Sequence, residues 1–138
     1  MSKLIAAGAL FKAMDTNRYL FVLRSQKSSY PGRFGLVGGK VHSNEDLLQG
    51  LTRECVEELG FMPEIKKWIP FNKYESIDKK FVYHSVLVLT PTEFIPYLNR
   101  ENDGFAWVNL NNPPKPLHPR LREVLSSSVL VDCIQQFH

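Results

Sequence analysis

The chain predicts a mixed α/β sandwich, and three observations predict it. Six short apolar segments read as strands, two segments read as helices, and those helices differ in role. Such an order fits a mixed sheet flanked by helices better than a doubly wound parallel sheet. The 138 residues suffice for one domain with a real core, expected to span residues 1–138.

Lys3–Lys12 and Tyr19–Arg24 read as two strands joined by a polar turn at Met14-Asp15-Thr16-Asn17. Ser25 to Arg33 is a loop carrying Pro31-Gly32, and Phe34–Val37 is a short strand that runs into Gly38-Gly39. Asn44 to Leu59 reads as a helix, with Ser43 as N-cap, Asp46 three residues later and Gly60 as its stop. Ile65–Tyr74 and Phe81–Thr90 are the next strands, Pro91 to Gly104 is a loop, and Phe105–Leu110 is a last short strand. Pro113-Pro114, Pro116 and Pro119 then break the chain before a C-terminal helix that starts near Arg120.

Composition excludes several classes. A hydrophobic fraction of 43% and a charged fraction of 22% are those of a globular chain, not a disordered or fibrous one. The longest apolar run, Leu4 to Phe11, falls far short of the roughly 20 residues that span a bilayer. No small-residue cleavage region follows it, so it reads as a strand and the protein as cytoplasmic. Cys55 and Cys133 form neither a disulfide framework nor a metal-spaced cluster. The net charge of +3 is spread along the chain, with no basic run interleaved with aromatics. A nucleic-acid polymer is therefore not an expected partner.

The first helix carries the chemistry. Glu54, Glu57 and Glu58 fall at i, i+3 and i+4, which puts them within an arc of about 100° on one face, with Gly50 one turn earlier. Leu47, Leu48, Leu51, Cys55 and Leu59 form the opposite, core-facing stripe. Three neighbouring carboxylates repel one another, and solvent, a basic partner or a bound cation must offset that repulsion. Carboxylate oxygens are hard ligands, so the cation they suit is Mg²⁺ or Mn²⁺.

The stretch from Gly39 to Phe61 resembles the Nudix box: Gly, five residues, Glu, seven residues, Arg-Glu, an aliphatic, any residue, Glu-Glu, any residue, Gly, an aliphatic. Gly39, Glu45, Arg53, Glu54, Glu57, Glu58 and Gly60 meet every fixed position, while Cys55 and Phe61 fill the two relaxed ones. The segment Leu20 to Arg24 and the run Pro31 to Gly39 are similar to the family's lead-in, a strand ending in a glycine pair. Glu101, six residues before Trp107, is spaced like the loop glutamate of MutT-type members.

That resemblance implies a Nudix fold, an α/β/α sandwich with a mixed sheet, and hydrolysis of a nucleoside diphosphate linked to another moiety. It implies metal ligation by Glu54, Glu57, Glu58, Glu101 and the Gly38 carbonyl, and a water oriented or deprotonated by Glu54 or Glu101. Gly38 and Gly39 are expected to turn the backbone sharply. Arg53 is expected to fix the rotamer of a box glutamate, and Glu45, well around the helix, to be structural or to support the metal ligands from behind. Arg24, Arg33 and Lys40 are candidates for phosphate contacts, and His118 for the wall of a base pocket. Tyr30, Phe34, Tyr74, Phe81, Tyr83 and Trp107 can supply a stacking surface, and the resemblance leaves room for a homodimer.

Three departures from the family pattern leave the substrate open. Val37 stands where proline is usual before the glycine pair. Ser76, and then Ile77, Asp78 and Lys79, occupy the places where ADP-ribose and diadenosine polyphosphate hydrolases carry a proline and a tyrosine. The asparagine with which MutT-type enzymes read an oxidised guanine has no counterpart near His118. The short, insertion-free shape is similar to compact MutT-like members. The alternative is a catalytically silent nucleotide sensor on the same fold, but such a sensor usually lacks a box glutamate. An isopentenyl diphosphate isomerase needs a catalytic cysteine, for which Cys55 on the core face is badly placed.

Overall fold

The computed structural model describes residues 3–138. The strands are β1 (Leu4–Ala13), β2 (Tyr19–Arg24), β3 (Phe34–Gly35), β4 (Val37–Val41), β5 (Lys67–Glu75), β6 (Phe81–Thr90) and β7 (Asn102–Val108). The helices are α1 (Leu47–Leu59), α2 (Pro119–Leu125) and α3 (Ser128–Gln135).

All seven strands join one mixed sheet in the order β3-β2-β1-β6-β5, with β4 also paired to β1 and β7 to β2. The β1–β6 pair is parallel along its whole length, from Leu4↔Phe81 to Ala13↔Thr90, and the other pairs are antiparallel. On the edge away from β6, strand β1 serves two neighbours. Phe11 and Lys12 pair with β2, while Ile5 to Ala9 pair with β4. The sheet therefore forks where β2 and β4 part, and β4 leads from that fork into α1.

Strand periodicity divides the core into two layers. Ala7, Ala9 and Phe11 of β1 meet Val86 and Val88 of β6 and Leu51, Cys55 and Leu59 of α1 on one face. Leu10 of β1 meets Leu87 and Leu89 of β6, Leu121 of α2 and Ile134 of α3 on the other. The architecture is the expected α/β/α sandwich with a mixed sheet.

Several local expectations change. Helix α1 starts at Leu47, not Asn44, because Asp46 rather than Ser43 is its N-cap. The Asp46 carboxylate accepts the Gln49 backbone N–H at 2.8 Å, and the Gln49 side chain accepts the Asp46 N–H at 2.9 Å. Gly60 ends the helix in the left-handed conformation, as expected. Leu48 leaves the core stripe and is about half exposed, since it follows directly on Leu47 and points away from the sheet. The glycine pair makes no sharp turn. It lies inside β4, with Gly38 opposite Gly8 and Gly39 opposite Ala7.

The loop after Pro91 is shorter than expected, because β7 begins at Asn102 and pairs with Arg24 of β2. The C-terminal helix is two helices. The Ser127 side chain accepts the Leu130 N–H and so caps a new start after α2. Cys55 is buried as expected, and both cysteines are free thiols.

Candidate active site

Oxygens of Glu54, Glu58 and Glu101 lie within 4.8 Å of one another, beside Gly38 and Gly39 of β4. Helix α1 delivers the first two, and the turn that opens β7 delivers the third from 43 residues further along the chain. That turn is fixed to α1. The Asn99 side chain donates to the Glu57 carbonyl at 3.1 Å, and the Tyr97 N–H to the Leu59 carbonyl at 2.8 Å.

Glu58 is the buried member, 3% exposed. It accepts from Asn102 Nδ2 at 2.8 Å and from the Gly38 N–H at 3.2 Å. Burial pushes its carboxyl up to about 8, the Asn102 and Gly38 donors oppose that rise, and Glu101 and Glu54 reinforce it. Burial likewise raises Glu54, with Glu57 and Glu101 adding to the rise and Arg53 opposing it.

Arg53 organises the rim. Its guanidinium grips both oxygens of Glu45 at 2.8 and 3.1 Å, donates to Glu54 at 2.9 Å, and donates to the Lys40 carbonyl at 2.8 Å. Glu45 also accepts the His42 N–H, and the Arg53 contact holds its carboxyl down near about 2. Arg53 therefore ties strand β4, the turn before α1 and Glu54 into one unit. Glu57 stays outside the cluster, half exposed and 3.3 Å from Arg53.

The glycines are explained by close approach. A Cβ on Gly39 would stand 2.6 Å from an oxygen of Glu54, inside the cluster. A Cβ on Gly38 would collide with the Ala7 carbonyl oxygen and stand 2.8 Å from the Gly8 Cα. Small residues here bring β4 under α1 and leave the carboxylates room.

A cavity of about 410 Å³ opens beside the cluster and reaches from Gly38 and Gly39 to α2 on the other face of the sheet. Arg24 and His118 line it, as do Tyr30, Phe81 and Tyr83 from the aromatic set. The Tyr30 ring packs edgewise on His118 with centroids 4.5 Å apart. Arg33 and Lys40 do not line the cavity. Arg33 donates instead to the Leu117 carbonyl, fixing the segment that carries His118.

Two residues of this region escape sequence reasoning. Asn102 is the donor to Glu58, and its place beside Glu101 is the signal that could have found it. Arg120 lies over Tyr74, Phe81 and Tyr83, with its guanidinium carbon 4.4, 4.9 and 5.7 Å from the ring centroids. No spacing rule links it to strands some forty residues earlier.

The donor set fits a hard divalent cation. It is all oxygen, its buried carboxylate Glu58 accepts only from the neutral donors Asn102 and Gly38, and Arg53 reaches Glu54 alone of the three acids.

The chain matches the model of the NUDIX domain over residues 3–127. It belongs to that family and is a hydrolase. Its structure is similar to the MutT NUDIX hydrolase from Burkholderia pseudomallei, at a TM-score of 0.74 and 24% identity over 93% of this chain and 99% of that one. It is also similar to a Nudix hydrolase from M. smegmatis, RenU, at a TM-score of 0.70 and 25% identity over 91% and 88% of the two chains. The MutT protein from Methanosarcina mazei Go1 is similar at a TM-score of 0.69 and 22% identity over 91% of each. No curated protein matches the chain.

Proposed function

We propose that this chain is a divalent-metal-dependent pyrophosphohydrolase that cleaves a nucleoside diphosphate joined to a further group, such as a nucleoside triphosphate, nucleotide sugar or dinucleotide. The observation that carries the proposal is the gathering of Glu54, Glu58 and Glu101 within 4.8 Å at the edge of an aromatic-walled cavity. Family membership supports the reaction class. The cavity supports a nucleotide, because a base needs stacking faces and the phosphates must lie toward the carboxylates.

In this reading Glu54, Glu58, Glu101 and the Gly38 carbonyl hold Mg²⁺ or Mn²⁺, and Glu57 stands at the solvent side of the same site. A cation bound there would supply charge neutralisation for the pyrophosphate and a more acidic water for attack on phosphorus. Glu54 or Glu101 would orient that water or take its proton. Arg53 holds Glu54 in its rotamer, and Asn102 with the Gly38 N–H holds Glu58. Arg24 and His118 bound the pocket for the nucleoside. The proposed setting is the cytoplasm, which suits two free thiols. Among the described residues no helix is long and apolar enough to cross a membrane.

The test is phosphate release, with added pyrophosphatase, from nucleoside triphosphates, nucleotide sugars, dinucleotide polyphosphates and coenzymes in the presence of Mg²⁺. Turnover that disappears with chelator and in Glu54→Gln and Glu58→Gln is the expected result. Nucleotide binding without turnover of any substrate would overturn the hydrolase reading.

A further inference from the structure

The cavity is lined by three side chains that present donors, Arg24, His118 and Arg120, and by the hydroxyls of Ser29, Tyr30, Tyr83 and Ser85, which donate or accept. Arg24 donates through Nε and Nη2 to the carbonyl and hydroxyl of Ser29, which leaves its Nη1 facing the space next to Gly35. Arg120 lies over three rings, and among the described residues its guanidinium has no hydrogen bond or ion pair.

His118 is fixed in its tautomer by its own helix. It caps α2, its Nδ1 accepting the Arg120 backbone N–H at 3.2 Å, so the proton of the neutral ring sits on Nε2 as a donor. Burial, and then Arg24, Arg120 and Arg33, hold that ring neutral down to about 4. Among the described residues lining the cavity there is no carboxylate and no side-chain amide, and the acceptors are hydroxyls such as those of Tyr83 and Ser85.

An aromatic wall combined with an excess of donors describes one kind of guest. A phosphate would use the donors but not the rings, and an aliphatic group would use neither. A heteroaromatic ring with acceptors on its edge uses both. Guanine offers O6 and N7 side by side, and uracil and thymine offer carbonyl oxygens. Adenine and cytosine put an amino group in the corresponding place, where its N–H groups would face the guanidinium and imidazole N–H groups and find only hydroxyls as side-chain acceptors.

We infer that the cavity selects keto bases (guanine, uracil or thymine) over the amino bases adenine and cytosine, with Arg120 and His118 as the specificity-determining residues. The inference rests on the nucleotide reading above and names the class of base.

The experiment is calorimetric titration of the full chain with GMP, AMP, UMP and CMP in the presence of Mg²⁺, which reads binding without turnover. Wild type is expected to bind GMP over AMP and UMP over CMP by about tenfold or more, the discrimination of one well-placed polar pair. Arg120→Gln and His118→Asn each bring in an acceptor, and each should move both ratios toward one. Asparagine is also a good N-cap, so His118→Asn keeps the start of α2. Equal or reversed ratios in wild type would overturn the inference, and so would binding of none of the four. Hydrolysis of nucleotides with equal keto and amino binding would sink this inference alone. Keto-selective binding without hydrolysis would sink the hydrolase reading and leave this one standing.

Discussion

Arg53 shows how much one side chain can organise. It satisfies its donors on Glu45, Glu54 and the Lys40 carbonyl, three partners set by strand β4, the helix entry and the helix itself. A lysine keeps the charge but lacks the planar fork, so it cannot hold all three at once. Arg53→Lys is expected to lower kcat by roughly ten- to a hundredfold, as for the loss of a partner that orients a metal ligand, with little change in thermal stability. Steady-state kinetics beside a melting curve checks this, and an unchanged kcat would contradict it.

The two glycines of β4 make a paired prediction at the same scale. The neighbour of Gly39 is the end of a flexible carboxylate, so Gly39→Ala should displace Glu54 and cut activity while the fold holds. The neighbours of Gly38 are backbone atoms of β1, so Gly38→Ala should cost about 1–3 kcal/mol of stability through forced strand separation. Denaturant unfolding and activity measured on both variants separate the two effects.

At the scale of elements, α2 is held from both sides. Its cap residue His118 hydrogen-bonds through its backbone N–H to the Phe34 carbonyl of β3 at 2.8 Å, and Phe34 donates to the Pro116 carbonyl at 2.8 Å. The folded protein keeps His118 neutral down to about 4, whereas a free histidine takes its proton near 6.5. Between those values the unfolded state binds more protons, so stability present above 6.5 is lost as pH falls toward about 4. In His118→Asn that loss is absent, so the stability gap between wild type and variant should change steadily across this window. Urea unfolding at several pH values reads it, and a gap that does not vary with pH would contradict the account.

The elements also show where sequence reasoning works. Strands Tyr19–Arg24 and Phe81–Thr90 match their expected limits, because alternation and apolar runs mark them locally. The expected entry of α1 takes Ser43 as the cap and Asp46 as its partner three residues on, whereas Asp46 itself is the cap. Only the reciprocal Gln49 contact decides between them. The arc of glutamates was legible from helical spacing. Which of them turns inward was not, since β4 and Asn102 bury Glu58 and leave Glu57 in solvent.

For the molecule as a whole, the layered sandwich was legible, but the fork in the sheet was not. Pairing of β1 with both β2 and β4 depends on contacts far apart in the chain, and those contacts turn the glycine pair into strand rather than bend. The same fork sets the carboxylates on one side of β4 and lets the cavity open toward α2 on the other. The fold thereby holds three acids together against their mutual repulsion, a strain that a divalent cation would relieve.

The most direct test of that claim is thermal unfolding of wild type and Glu58→Gln as Mg²⁺ is titrated in. Glutamine keeps the shape and the acceptor for Asn102, gives up the acceptor for the Gly38 N–H, and needs no proton on burial; since burial pushes the Glu58 carboxyl up to about 8, at neutral pH the metal-free variant should melt above metal-free wild type. Mg²⁺ should then raise the melting temperature of wild type and leave that of Glu58→Gln nearly unchanged. An equal rise in both proteins, or none in either, would contradict a metal centre built on Glu54, Glu58 and Glu101.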